Sequence, residues 1–440
     1  MSLFQSHEEK RRLITNRIRA GYKDRIRWML GPEIEHLVID AEGHRVMYPG
    51  DDGVEGVMER LSALHPDWTV TATDGHIIGL EGPTNAITLE PGAQLEFSLP
   101  PATQVTTLLA AYRHAVDEVY EVLDARGLRL VTLGLDPQNP VDAIPLIPKT
   151  RYALMDQHMG ARGALSRTMM RQSCAFQLSI DVGSDADFIT KYRVLVALSP
   201  ILYTLFDSAV DFEGKQLLHH NFRQDVWTHT DPARSGFPST VFDDDFSVEK
   251  YADWVLGVPP IFYESGGDVV RTGDRTLADV LDDARSPEEA EALVRHGMSI
   301  VFPDVRAKGV LEIRAMDSVK PTYGMGAAAL IKGLFYNRDN LERLSALFTP
   351  MTTQWVERGK CSGRDHGLQG YYHSDYFVNW GLGLLRMARE ALSSDEAALL
   401  DPLEALWNNL DTPATELGRL VDRVGWQEAW NSIEVRHVLS

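Results

Sequence analysis

The segment Thr88–Ser98, which reads TLEPGAQLEFS, has two strand-like arms joined by a Pro-Gly turn. A Pro-Gly pair favours a tight reversal of the chain, and apolar and polar residues alternate in the arm that follows it. Successive side chains of a strand point to opposite faces, so Gln94, Glu96 and Ser98 share one face. The segment therefore predicts an antiparallel hairpin with one polar face.

Three further strand-like runs also carry polar residues at alternate positions. The residues are Glu33 and Glu35, then Gln177, Ser179 and Asp181, and finally Glu312 and Arg314. The commoner explanation of any single run is a solvated sheet face. The alternative is that the four faces meet at a cavity where carboxylates hold hard cations such as Mg²⁺. Carboxylates that face one another repel strongly without a cation, which itself favours a metal.

The rest of the chain predicts an α+β fold, in which helices flank an antiparallel sheet. Pro-Gly, Asp-Gly and Gly-Pro turns between residues 69 and 99 indicate several short antiparallel strands. From Pro321 onward the pattern is almost wholly helical. Since no repeat or flexible linker interrupts the chain, we predict one domain over 1–440, with a core over 31–320 and a helical layer over 321–440. The spacing of apolar residues predicts further helices over residues 7–30, 53–65, 103–126 and 185–209.

Composition excludes several classes of protein. The 440 residues include 63 acidic and 43 basic side chains, for a formal charge of −20, which argues against binding to nucleic acid or to anionic membranes. The longest uncharged apolar run, Val194–Phe206, is too short to span a bilayer, and no secretory signal is recognisable. Two cysteines without a Cys-x-x-Cys motif predict a reduced, cytoplasmic protein. We expect its partners to be small molecules.

Two single residues have alternative interpretations. Glu90 comes just before the Pro-Gly turn, so it is either an ordinary turn residue or a carboxylate that reaches the same space as Glu96. Arg314 lies among apolar residues of a strand. It is either a structural ion-pair partner or a cation that stabilises charge on a transferring phosphoryl group.

An irregular stretch at 221–245 concentrates charged and aromatic residues. Arg223, Trp227 and Arg234 lie in this stretch, which predicts an ordered loop. Arginine guanidinium groups suit carboxylates and phosphates, so the loop is a candidate for substrate contact. The alternative is a surface loop with incidental charge. The phosphate-binding loop, the His-Glu-x-x-His motif and the Gly-x-Ser-x-Gly elbow do not occur in the sequence.

Taken together, five segments resemble one known family. Thr88–Ser98 resembles the Glu-Pro-Gly-Gly-Gln-x-Glu-Leu-Ser segment of the plant-type glutamate-cysteine ligases and their actinobacterial relatives, including the enzyme that opens ergothioneine synthesis. Four more segments resemble family segments in the family's order, and the similarity runs from Gly31 to about Lys320. These segments are Pro148–Met155, Cys174–Asp181, Trp227–Gly236 and Phe302–Arg314.

The resemblance implies a carboxylate-amine ligase of the glutamine-synthetase-like fold, whose concave sheet face holds ATP, Mg²⁺ and substrate. In such a ligase ATP phosphorylates the side-chain carboxylate of L-glutamate, and an amine then attacks the acyl phosphate. With L-cysteine as the amine the product is γ-glutamylcysteine, which serves thiol biosynthesis of the glutathione or ergothioneine type. The alternatives are a different amine in a specialised pathway, or a non-catalytic binding protein on the same fold.

The resemblance also implies roles for individual residues. By position the metal ligands are Glu33, Glu35, Glu96 and Glu312, with Glu90 and Gln177 as additional ligands. The catalytic residues are Arg314, which steadies the transferred phosphoryl group, and Glu312. Candidates for substrate binding are Arg151, Arg223, Trp227 and Arg234. The implied cofactor is Mg²⁺, as two or three ions with Mn²⁺ as a substitute, ATP is the co-substrate, and the protein is a monomer or a homodimer.

Four departures from the family pattern leave the acceptor amine open. Ser179 replaces the asparagine usual after the strand glutamine, and the segment Gly31–His36 opens with a different residue pattern. Ala93 replaces the second glycine of the Glu-Pro-Gly-Gly turn. After Arg314 the plant enzymes carry a Trp-Arg-Arg run, whereas this chain has Asp317-Ser-Val-Lys-Pro321. The residues predicted to bind metal and ATP are retained, so the acceptor pocket is where we expect this chain to differ.

Overall fold

A computed structural model of the chain describes residues 3–265 and 268–439. Its centre is a nine-stranded sheet in which every pair of neighbouring strands is antiparallel. Helices cover this sheet and form most of the chain after Pro321. The predicted α+β class is therefore confirmed, whereas the assignment of 1–440 to one domain stays a prediction.

The order of strands places the four polar runs side by side. The strands at Leu311–Asp317, Ala175–Ile180, Leu30–Ile39 and Leu95–Ser98 are consecutive neighbours, so all four contribute to one continuous area of sheet. From edge to edge the sheet runs through Val305–Ala307, Leu311–Asp317, Ala175–Ile180, Leu30–Ile39, Leu95–Ser98, Ala86–Leu89, His76–Glu81 and Thr69–Thr73, and Arg129–Val131 pairs with the far end of Leu30–Ile39.

The register of the central strands brings acidic residues together. Glu35 lies directly opposite Glu96, and Glu33 lies opposite Gln177 on its other side. Directly opposed side chains in an antiparallel pair are close neighbours, so like charges at these positions are destabilising unless something compensates them. The sheet therefore concentrates negative charge at its middle.

The helices pack around the sheet, and most follow the predicted positions. The predicted helix over 7–30 is shorter than expected, because it ends at Arg19 and Gly21 then packs directly on Gly309, where an added Cβ atom would lie 2.0 Å from the carbonyl oxygen. The helices of eight or more residues are His7–Arg19, Val54–Leu64, Val105–Leu123, Thr150–Gly160, Asp185–Leu205, Val248–Leu256, Pro287–Ser299, Pro321–Phe335, Arg338–Leu347, Thr353–His366, Phe377–Arg389, Asp401–Asn408 and Pro413–Val424.

The helix Asp185–Leu205 is long, largely apolar and mostly buried in the core. By length and composition it is the one helix among the described residues that could cross a membrane, but 83% of its apolar window is buried inside the protein. It packs against the helix Thr353–His366 and against the strand Leu311–Asp317. Its hydrophobicity is thus accounted for by packing in the core.

The stretch 221–245, predicted as a loop, contains the helix Phe222–Thr228. The prediction of a loop was wrong here because tertiary contacts override a weak local helix signal. Asn221 begins the helix with a left-handed φ of 61°, and its backbone N–H donates to the buried carboxylate of Asp207 at 3.0 Å. The helix is therefore fixed by a contact that is distant in sequence.

Asp207 belongs to a buried acidic pair beside the start of this helix. Burial and the charge of Asp317 raise the pKa of Asp207 to about 8, and burial raises the pKa of Asp317 to about 6. The backbone N–H of Ser208 donates to Asp317 at 2.9 Å. In the folded protein the pair therefore keeps a proton at pH values where the unfolded chain has released it.

This pair predicts that stability falls as pH rises. The native state binds more protons than the unfolded state between the ordinary carboxyl pKa of 3.8 and about 8, so the free energy of unfolding decreases with pH across this range. Asp207→Asn should make that decrease smaller, as measured by urea unfolding at pH 6 and pH 8. Buried carboxylates outside this pair change the free energy of unfolding equally in the wild type and in Asp207→Asn, so they cancel in the comparison. The exposed Asp67→Asn variant is the control, and equal decreases in all three proteins would contradict the prediction.

Candidate active site

A cavity of about 460 Å³ lies on the polar face of the sheet. Glu35, Glu96 and Gln177 on its floor are each no more than 8% exposed, which excludes a solvated sheet face. The alternative interpretation, that polar residues of the four strands meet at a cavity, is therefore correct, but Ser98, Ser179 and Asp181 do not line it. The sheet residues that line the cavity are Glu33, Glu35, Glu96, Gln177 and Arg314, and Gln94 joins them from the turn before Leu95–Ser98.

Three carboxyl groups in this cavity have no ion-pair partner in the described part of the chain, and their ionised forms are disfavoured. Burial and then the charge of Glu90 raise the pKa of Glu35 to about 8, and the same two causes raise the pKa of Glu96 well above its usual range. Burial likewise raises the pKa of Glu90. Among the described residues no lysine or arginine forms an ion pair with any of the three, and the ion pairs at this site involve Glu33 and Glu312 instead.

These carboxylates are held in place by neutral donors. The backbone N–H of Ala175 donates to Glu35 at 2.8 Å, and the Gln177 amide donates to its other oxygen at 3.3 Å. The hydroxyl group of Thr88 donates to Glu96 at 2.8 Å. Such bonds orient the carboxyl oxygens but supply no positive charge, so a bound cation would be the group that favours the ionised form.

The donor set fits a hard divalent cation. Within the described residues no group of three His, Cys, Asp or Glu side chains is already arranged around one metal position. However, buried carboxylate oxygens that repel one another and lack basic partners are the ligands that Mg²⁺ prefers, and a bound cation would remove the repulsion. Glu35, Glu90 and Glu96 are the residues best placed to hold it, with Glu33 and Gln177 beside them.

The Pro-Gly turn brings Glu90 into the cavity. The side chain of Gln94 accepts the N–H of Gly92 at 2.8 Å and thereby closes the turn. Gly92 approaches the backbone of Arg171 so closely that a Cβ atom would lie 2.3 Å from its carbonyl oxygen. Ala93 has a left-handed φ of 64°, a conformation that favours the glycine found in the family at this position. Glu90 is therefore a cavity residue of a tightly packed turn.

Basic and aromatic residues form another part of the cavity wall. Arg223 and Arg314 place their guanidinium groups 5.7 Å and 5.4 Å from the centre of the Trp227 ring, within the range of cation–π attraction. Arg314 also donates to the side-chain oxygen of Gln177. The buried Nε of Arg314 and Nε1 of Trp227 have no hydrogen-bond acceptor within the described structure. Unpaired donors next to two cations suit an anionic ligand.

Glu312 lies behind this wall and does not line the cavity. The guanidinium of Arg306 donates to both of its carboxylate oxygens, at 2.5 Å and 3.0 Å, and Lys308 donates at 3.0 Å. Against the effect of burial, Arg306 and Arg314 hold the pKa of Glu312 well below its usual range. Its charge is thus already compensated, because Arg306 sits directly opposite it on the neighbouring strand. The metal and catalytic roles implied for Glu312 stay predictions that its present contacts do not support.

The predicted substrate-binding residues divide into two groups. Arg151, Arg223 and Trp227 line the cavity, as expected. Arg234 does not, since it is fully buried, pairs with Asp231 at 2.7 Å and donates to backbone carbonyl groups. Its contacts assign it to holding the segment 231–236 in place, so substrate contact by Arg234 is corrected to a structural role.

Sequence reasoning missed three basic residues of the site. Lys149 and Arg306 line the cavity, and Lys308 links Glu33 to Glu312, at 3.4 Å and 3.0 Å. Signals for them were present, since Lys149 is two residues before Arg151 and Lys308 is four residues before Glu312. Neither spacing identifies a site until the pairing of the strands is known.

Comparison with known proteins identifies the family that this chain matches. The model of glutamate-cysteine ligase family 2 matches residues 29–431. The chloroplastic glutamate–cysteine ligase B of Oryza sativa subsp. japonica is 27% identical, over 93% of this chain and 83% of its own length. The chloroplastic glutamate–cysteine ligase of Medicago truncatula is 30% identical, over 90% of this chain and 79% of its own length.

A solved structure supports the same fold. The glutamate–cysteine ligase of Francisella tularensis, in complex with AMP, superimposes with a TM-score of 0.58 over 94% of this chain and 88% of its own, at 12% sequence identity. Because the family match covers most of the chain and all the cavity residues described above, the chain belongs to glutamate-cysteine ligase family 2.

Proposed function

We propose that the protein is an ATP-dependent ligase that joins the side-chain carboxylate of L-glutamate to the amine of L-cysteine. The products are γ-glutamylcysteine, ADP and phosphate, and the role is in thiol biosynthesis of the glutathione or ergothioneine type. One observation carries the proposal: three carboxyl groups without ion-pair partners in the described structure, two of them buried and one half-buried, share one cavity with five basic residues in a chain of this family. That combination suits a reaction in which divalent cations and several anionic groups must meet.

The reaction consists of two transfers. A glutamate side-chain oxygen attacks the γ-phosphorus of ATP, the bond to the bridging oxygen breaks, and ADP leaves. The amine nitrogen then attacks the carbonyl carbon of the acyl phosphate, the C–N bond forms, the C–O bond to phosphate breaks, and phosphate and a proton are released. Enzymes accelerate such steps mainly by positioning the reactants and by neutralising charge.

The chain's own cations take part in that neutralisation. Arg223 and Arg314 are held over Trp227, so their guanidinium groups have fixed positions before substrate arrives. The free Nε of Arg314 can donate to a phosphoryl or carboxylate oxygen, and preorganised donors of this kind stabilise charge that develops in a transition state. Trp227 and Phe302 also cover this side of the cavity with apolar surface, which keeps water from a reactive acyl phosphate.

Mg²⁺ would be held by Glu35, Glu90 and Glu96, with Glu33 and Gln177 as further ligands. When bound, two or three such ions would neutralise the phosphate oxygens of ATP, and Mn²⁺ would be an effective substitute. The ions would be needed because ionised carboxylates and the phosphate oxygens of ATP repel one another unless a cation lies between them.

We also propose a cytoplasmic location and a monomer or homodimer. In the described structure both cysteines are free, Cys174 buried and Cys361 exposed, which suits a reducing compartment. Sedimentation of the purified protein tests the oligomeric state, and cell fractionation tests the location.

The test of the proposed function is glutamate-dependent ADP release with Mg²⁺ and a panel of amines that includes L-cysteine. We expect ADP release to require both glutamate and an amine, and the product mass to be that of γ-glutamylcysteine. Activity only with another amine would support the proposed ligase reaction but show that cysteine is not the acceptor. No ADP release with any amine, in a protein that Mg²⁺ still stabilises against heat, would overturn the proposal and favour a binding protein.

A further inference from the structure

A second cavity of about 270 Å³ adjoins the first, and Arg151 lines both. It lies between the hairpin that begins at Phe262 and the helix Pro287–Ser299. Phe262, Ala292 and Leu293 give it an apolar surface, and Tyr263, Glu264 and His296 add polar groups. Its size suits a small molecule or the side chain of one.

Arg151, which lines both cavities, forms no ion pair within the described structure, although the carboxyl group of Glu90 acts on its charge. Its two terminal nitrogens donate to the hydroxyl and the carbonyl oxygen of Ser299, each at 3.0 Å, and these acceptors are neutral. Burial lowers the pKa of Arg151, and the nearby Arg306 lowers it further. A guanidinium group has five N–H donors, so donors remain free, and a partly buried cation is best stabilised by a carboxylate or phosphate. Arg151 is therefore positioned for an anionic group of a ligand.

We propose that Arg151 binds the α-carboxylate of the acceptor amino acid, whose side chain occupies the second cavity. This inference rests on the proposed ligase function and adds the place and the chemistry of acceptor recognition. The α-amine and the α-carboxylate of an amino acid share one carbon atom. Anchoring the carboxylate at Arg151 thus holds the amine at the boundary of the first cavity, where the acyl phosphate forms.

The lining of the second cavity favours a compact, uncharged side chain. Phe262 and Leu293 are 5% exposed and offer apolar contact. Burial lowers the pKa of His296 to about 4, so its imidazole is neutral, and one of its nitrogens is hydrogen-bonded to the carbonyl group of Pro260 at 2.8 Å. The carboxylate of Glu264 repels an acidic side chain. The acceptor class is therefore an α-amino acid with a small neutral side chain, and cysteine belongs to it.

The sharpest test combines a variant with a change of substrate. Cysteamine lacks the α-carboxylate of cysteine but keeps its amine and thiol. Arg151→Met should lower kcat/KM for cysteine at least about 30-fold more than kcat/KM for cysteamine, because the lost contact exists only with cysteine. An equal loss with both amines would overturn the assignment and return Arg151 to binding glutamate or phosphate. If Arg151 binds glutamate or phosphate instead, the KM for glutamate or ATP should rise in the same variant.

A second variant tests the cavity itself. Ala292 is exposed on its helix and lines the second cavity, so Ala292→Leu narrows the cavity without overpacking the core. We expect the KM for cysteine to rise about 10-fold while the KM values for glutamate and ATP stay within about two-fold. Ala346→Leu, at another exposed helical alanine, is the matched control. An unchanged KM for cysteine in Ala292→Leu would contradict the proposal.

Failure of this inference can be separated from failure of the proposed function. If the wild-type protein forms no γ-glutamyl product with any amine, the proposed function fails. The second cavity is then tested by calorimetric titration of the wild-type and Arg151→Met proteins with L-cysteine alone. Heat of binding that disappears in the variant supports the site, and equal heat in both proteins overturns it.

Discussion

Glu96→Gln is expected to reduce turnover by about 10³-fold or more, while the metal-free protein keeps or gains stability. Glu96 is buried beside Glu35 and Glu90, and the raised pKa of Glu96 shows that its ionised form is disfavoured by burial and by these neighbours. Glutamine keeps the shape but cannot supply the charge that a cation needs, and it replaces a buried carboxyl group whose ionisation is unfavourable in the folded protein. Activity and melting temperature, each measured with and without Mg²⁺, check both parts.

The control for this prediction is Glu81→Gln, an exposed glutamate on a neighbouring part of the same sheet. It should leave activity and the Mg²⁺-dependent rise in melting temperature unchanged. In Glu96→Gln that rise should be smaller than in the wild type. Full activity together with an undiminished Mg²⁺ effect in Glu96→Gln would remove Glu96 from the metal site.

Arg306→Met should destabilise the protein by about 3–5 kcal/mol and abolish activity, because it leaves the carboxylate of Glu312 buried without its bidentate partner. Lys308 remains 3.0 Å from Glu312 and still compensates part of its charge, so we expect the loss of stability to lie near the lower end of this range. Urea unfolding measures the loss. The double variant Arg306→Met with Glu312→Gln should recover part of the stability, since no buried charge then remains unpaired.

Arg338→Met provides the comparison. Its ion pair with Glu342 is exposed to solvent, and such pairs contribute little to stability. If Arg306→Met costs no more than Arg338→Met, the pair with Glu312 is not the structural support that its geometry indicates.

The sequence allowed the sheet floor to be predicted because alternation is a local property. Alternation within a strand fixes the faces on which Glu33, Glu35 and Glu96 lie, independently of how the strands pair. Which strands are neighbours is not local. The pairing of Arg306 with Glu312 depends on a register that a single sequence does not reveal, and for this reason Glu312 was assigned to the cavity when it lies behind it.

The segment 221–245 shows the same limit. Its local composition is that of a loop, but Asp207 fixes the start of a helix there, and the two arginines of the segment then point to different surroundings. Arg223 reaches the cavity, whereas Arg234 is enclosed by carbonyl groups and Asp231. A guanidinium group suits a substrate carboxylate and a structural one equally well, so residue type alone could not separate these roles.

The departures from the family pattern fall in two different environments. Ala93 adopts the left-handed backbone conformation that would suit glycine, so the turn that carries Glu90 is kept. Asp317, where the plant enzymes carry a different run, belongs to the buried acidic pair with Asp207. Neither residue lines the second cavity, and we therefore expect acceptor choice to depend on Arg151 and the residues around it.

We propose that the protein activates glutamate as an acyl phosphate in the carboxylate-lined cavity. Glutamate with ¹⁸O in its side-chain carboxylate, supplied together with ATP, Mg²⁺ and cysteine, allows this step to be followed in the released phosphate. We expect one ¹⁸O atom in each phosphate, because the oxygen that attacks ATP leaves with the phosphoryl group. Phosphate released without ¹⁸O, alongside the amide product, would contradict it.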